Sequence, residues 1–176
     1  MPTRRTAKPK RTGLSKFLPL VGTLPGVVLT ILGLLLPFAV HVLKNPITGK
    51  IERDARTLSQ WGSRHDAMRE IGGEGFAFFS AARGLAWTVA VATGLLLLLL
   101  IFSRFNTRSR ELNWTVAGIA ALLALTSVVF FVFAVLFTVS AGGEGPRVLL
   151  SAAPYCTLFG GTCLGAVSFF TVRPDL

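Results

Sequence analysis

Few side chains in this sequence could carry chemistry. Two histidines, two cysteines and eight acidic residues are spread over 176 positions. A membrane haem held by two axial histidines needs both inside the lipid. His41 and His65 are the only pair, and His65 stands in a polar loop. A hydrolase needs a nucleophile beside a positioned base, whereas Ser151, Tyr155 and Thr157 have no acid or histidine near them in the chain. Glu52, Asp54, Asp66 and Glu70 gather in one segment, interleaved with arginines. That is the pattern of a solvated helix face. His65 with Asp66 is the one arrangement left for an enzyme. Cys156 and Cys163 fall on one helix face about two turns, or 10 Å, apart, which is too far for a disulfide. They read as small packing residues. No metal-ligand spacing and no phosphate-cradling glycine motif is present. The expectation is a chain that is not an enzyme and has no cofactor, catalytic residue or metal site.

The elements that carry these residues are four long apolar runs. A helix crosses a hydrocarbon core of about 30 Å with roughly 20 apolar residues. Spans are expected at about 18–43, 83–103, 112–140 and 148–172, and the mean hydropathy of the whole chain is +0.63. Apart from Arg83 at the edge of the second, no Asp, Glu, Lys or Arg falls within them. The fold class expected is an all-α integral membrane protein. Its four transmembrane helices form a bundle, with a short amphipathic helix in the first extracytoplasmic loop. The division is a basic cytoplasmic tail, 1–16, and one four-helix membrane domain, 17–176, with the outer loop at 44–82. Pro19 and Pro25 are expected near the start of the first span, and Pro37 is expected to kink its last third.

The net charge of +10 is local. Arg4, Arg5, Lys8, Lys10, Arg11 and Lys16 precede the first span, and Arg104, Arg108 and Arg110 follow the second. The loop 44–83 is nearly balanced, with seven basic and five acidic residues. The positive-inside rule then puts both termini on the cytoplasmic side of a multi-pass protein, in the plasma membrane or an organelle inner membrane. The tail suits anionic lipid headgroups and lacks any nucleic-acid motif. The sequon Asn113-Trp114-Thr115 then faces the cytoplasm and stays unmodified.

In the outer loop, Leu58, Trp61, His65 and Met68 recur at helical spacing. They predict an amphipathic helix from near Glu52 to Ile71, lying on the interface, capping the bundle or docking a partner. Gly72-Gly73-Glu74-Gly75 and Gly142-Gly143-Glu144-Gly145 echo one another as glycine-rich turns. Small residues mark where helices approach in lipid. The fourth span has Ala153, Thr157, Gly161 and Gly165 at four-residue spacing, the second has Ala86, Ala90 and Gly94, and the first has Gly22, Gly26 and Thr30. Phe130, Phe131 and Phe133 form a bulky patch on the third.

The layout resembles the general plan of tetraspan proteins such as claudins and peripheral-myelin-type proteins. The likeness is one of topology, because the loop lacks their paired cysteines and their tryptophan-leucine-tryptophan signature. The function expected is non-catalytic lateral association, as scaffold or accessory subunit of a larger membrane complex. Its partners would be the bilayer and other membrane subunits or further copies. The alternative is an oligomeric channel or transporter component, with Glu74 and Glu144 at its outer mouth.

Overall fold

The computed structural model describes residues 18–44, 47–67, 75–105, 110–141 and 147–172. Helix dominates. α1 is Leu18–Leu35, α2 Leu58–Ala67, α3 Gly75–Phe105, α4 Arg110–Ser140 and α5 Ala152–Val172. Three strands, β1 (Pro37–Lys44), β2 (Ile51–Thr57) and β3 (Arg147–Leu150), complete the order.

Three helices contain stretches long and apolar enough to cross a membrane: Ala77–Ser103, Arg110–Ser140 and Ala152–Thr171. α1 contributes a shorter apolar stretch, Val21–Leu35. At 1.5 Å per residue α3 and α4 each run for about 46 Å, longer than the hydrocarbon core.

The strands correct the all-α expectation. The first apolar run does not continue as helix to residue 43. α1 ends at Leu35, and Pro37 opens β1 instead of kinking a span. Proline lacks the amide that a continuing helix would use, and it is tolerated as the first residue of a strand. Val40 and Val42, β-branched and alternating with His41, then favour extended backbone. β1 is the central strand of an antiparallel sheet of order β2-β1-β3. The β1–β2 hairpin runs in register from Lys44 opposite Ile51, with an irregularity between Pro37 and Ala39. Gly49, at φ 65°, takes the left-handed conformation that the connecting turn requires. β3 pairs Ala39 with Leu150 and Val42 with Arg147, so the fourth apolar run also starts as strand and becomes helix only at Ala152.

The loop helix starts later than expected for the same reason. Residues 51–57 form β2, paired along β1, and α2 starts at Leu58. A reciprocal cap sets that start. The Gln60 amide donates to Thr57 Oγ1 at 3.4 Å, and the Thr57 amide donates to Gln60 Oε1 at 3.0 Å. This is the capping-box arrangement, with glutamine at the third helical position.

Two apolar clusters join these elements. One lies under the sheet, where Phe38 of β1 is fully buried among Phe79, Phe130 and Phe137. Its ring centroid stands 5.9 Å from Phe79 and from Phe137, and 6.2 Å from Phe130. Trp61 of α2 packs edge-on against Phe137 at 5.6 Å and donates its indole N–H to Ala39 O at 3.2 Å. The expected phenylalanine ridge of the third span is thus largely consumed inside. Phe130 is buried, Phe133 meets Phe78 and Phe131 meets Tyr155. The second cluster joins Val89, Leu96 and Leu100 of α3 to Val116, Ala120 and Leu123 of α4 and to Leu164 of α5.

α5 lies between α1 and α4, and α4 lies between α5 and α3. All three pairings are antiparallel. Along α1 and α5, Gly22 meets Val167, Gly26 meets Leu164 and Gly33 meets Thr157. Gly161 and Gly165 of α5 meet Ser127 and Ala120 of α4. Phe78 and Phe79, near the start of α3, meet Phe133 and Phe137, near the end of α4.

Candidate functional site

The backbone decides first which small residues have a free face. A Cβ on Gly26 would stand 2.8 Å from Leu164 Cβ, and one on Gly160 would stand 2.5 Å from the Thr30 amide nitrogen. Gly33 leaves no room for a Cβ against Thr157 Oγ1. On the other side of α5 a Cβ at Gly165 would lie 2.6 Å from Ala120 O, and one at Gly161 would collide with Ser127 Oγ. α5 therefore presents glycine on two faces, because it is packed on both. The hydroxyls in these contacts are satisfied within their own helices. Thr30 donates to Gly26 O at 2.8 Å, Thr157 to Ala153 O at 3.0 Å and Ser127 to Leu123 O at 2.9 Å.

The small residues expected to form an interface thus separate into two groups. Ala153, Thr157, Gly161 and Gly165 are buried between α5 and its neighbours inside the molecule. On α3, Ala86 is buried beneath the sheet, Ala90 is half-buried, and Gly94 is exposed with no heavy atom within 4 Å of where its Cβ would be. Gly84 of α3 and Gly118 of α4, both exposed, are equally open. Ser80, Gly84 and Thr88 follow one another at four-residue spacing on that outward face, and all three are exposed. Sequence reasoning missed Gly84 and Gly118, although glycine inside an apolar helix was signal enough to ask what approaches it.

The loop residues turn inward. Leu58 and Trp61 pack on the aromatic cluster under the sheet. His65 is in α2. Met68, Glu74 and Glu144, most of the two glycine-rich segments, and the basic tail 1–16 lie outside the described residues.

Polar chemistry on the described surface is limited. Arg56 donates from Nε to Asp54 Oδ2 at 2.7 Å and from Nη2 to the same oxygen, two residues apart on the same face of β2. The hydrogen bond that Arg56 donates to Asp54 raises the Arg56 pKa above its ordinary value. With Ala55 and Gln60 the pair lines an open hollow of about 280 Å³. Being solvent-facing, it contributes little to stability. Among the described residues no group of three His, Cys, Asp or Glu could hold a metal ion. Cys156 and Cys163 are both free thiols on α5.

A second hollow, of about 340 Å³, opens in the seam between α1 and α3 under the start of α2. Leu34 and Leu35 of α1 form one wall, Trp87 and Ala90 of α3 the other, and Ser59 and Arg83 stand at its rim. Gly62 of α2 makes room for Arg83, since a Cβ there would be 3.1 Å from its Cζ and Nη1. Arg83 falls within the apolar stretch Ala77–Ser103.

No family model matches this chain, and neither a curated protein nor a solved structure matches it.

Proposed function

We propose that this chain is a non-catalytic four-helix membrane protein that acts by lateral association, as scaffold or accessory subunit of a larger membrane complex. α1 serves as the fourth span. Its antiparallel seam with α5, closed at Gly26, Gly33 and Gly160, supports that reading. The four helices then form one bundle capped by the sheet and α2.

The observation that carries the proposal is the outward face of α3. Glycine costs a helix interior up to about 1 kcal/mol relative to alanine. Inside the molecule, close helix approach offsets that cost. Gly84 and Gly94 have no such neighbour, so a second helix laid on this face would supply the contact that justifies them. Exposed Val91, Leu95 and Leu98 extend the same face with bulk for a partner to pack on.

The plasma membrane and cytoplasmic termini complete the proposal, supported by arginine and lysine concentrated before α1 and between α3 and α4. Gentle detergent extraction at native expression, followed by native mass measurement, tests it. A defined set of membrane subunits, or a defined number of copies, is expected. A lone chain under every mild condition contradicts it.

A further inference from the structure

We infer that the groove between α1 and α3 holds one acyl chain of an anionic phospholipid, with Arg83 gripping the headgroup phosphate, where the choline of a zwitterionic lipid would set a second cation against the guanidinium. Three observations converge. A charged side chain inside an apolar span is expensive and marks function, and Arg83 lies within Ala77–Ser103, roughly 9 Å along the axis from its first residue. The side chain is long enough to bring its guanidinium up to headgroup level. Gly62 lets it lie against α2 there, at the upper rim of the hollow. Apart from Ser59 the rest of the lining is apolar: Leu34, Leu35, Leu58, Ala86, Trp87 and Ala90.

The shape argues for a lipid. At about 340 Å³ the hollow is at the low end of small-molecule sites. It takes one chain while the second stays in the bilayer. It opens sideways between two helices, where Trp87 is 68% exposed. Ala86 and Ala90, one turn apart, create the space by being small. Arginine suits the charge, because its planar fork binds two phosphate oxygens at once and its five donors serve a protein partner and a ligand together.

The test is native mass spectrometry of delipidated full-length protein titrated with phosphatidylglycerol or phosphatidylcholine. One phosphatidylglycerol retained in preference to phosphatidylcholine is expected. Arg83→Gln is expected to weaken that retention about tenfold, the loss of a charged hydrogen bond. Ala90→Phe, which fills the groove and keeps the arginine, is expected to abolish it. Replacing the basic residues of the tail with glutamine is expected to leave this one tight lipid in place. Unfolding of the Arg83 variant leaves Ala90→Phe to decide. Equal retention of the two lipids overturns the inference. So does unchanged retention in Ala90→Phe, loss of the lipid with the tail charges, or displacement by inorganic phosphate at millimolar concentration.

Discussion

Whether a glycine in this chain is indispensable depends on the atom its missing Cβ would meet. Gly160 faces the backbone nitrogen of Thr30 at 2.5 Å, and backbone cannot swing aside. Gly160→Ala is expected to force α1 and α5 apart and to cost about 1–3 kcal/mol, the range for overpacking, read as thermal unfolding in detergent. Gly94→Ala meets open space. It is expected to be neutral or to stabilise by up to about 1 kcal/mol through helix propensity. A buried hydroxyl gives the opposite kind of case. Ser168 is fully buried, and its Oγ has no hydrogen-bond partner among the described residues. Ser168→Ala is expected to raise stability by about 1 kcal/mol by removing an unpaired polar atom. The four-residue spacing of Gly161 and Gly165 announced a packing face. What it left unread was Gly160, one position away and turned to the other neighbour. Spacing reveals a stripe, but a helix sandwiched between two others carries two.

At the scale of elements, the sheet was the part hidden by hydropathy. Residues 37–43 are as apolar as the helix before them, so a count of apolar length runs straight through a helix-to-strand boundary. The signals against it were local. Pro37 breaks the helix, Val40 and Val42 alternate with His41, and Asn45-Pro46 with Gly49 marks a turn. Thr57 and Gln60 spell a capping box that places the start of α2 better than hydrophobic periodicity did. Thr57→Ala is expected to cost α2 about 1 kcal/mol, seen as faster amide exchange confined to 58–67. The sheet is tied to the helices by Phe38, fully buried at the centre of three aromatic contacts under β1. Phe38→Ala is expected to cost about 3–5 kcal/mol. The loss should appear as faster amide exchange across both strands of the hairpin and a weakened near-ultraviolet signal from Trp61, whose indole bonds to Ala39. A helix-to-strand boundary that carried no packing would lose neither.

For the whole molecule, the antiparallel order α1-α5-α4-α3 brings the sheet, the start of α3 and the end of α4 to one end. There the sheet and α2 pack on the apolar side chains of α3 and α4. The proposed orientation puts Asn113 at the cytoplasmic surface, so no glycan is expected there, and a shift in mass on glycosidase treatment would reverse the topology. The small-residue seams of α1, α4 and α5 are spent inside, so Gly161→Leu or Gly165→Leu would test folding more than association. The proposed partner face is on α3, and the measurement that tests the account most directly follows from it. Gly84→Leu with Gly94→Leu, in the full chain, is to be compared with the natural sequence by energy transfer between labelled copies and by co-purification from mild detergent, alongside the melting temperature. The account predicts loss of association by at least about tenfold with the melting temperature retained. Association that survives the double substitution in a folded protein would contradict it.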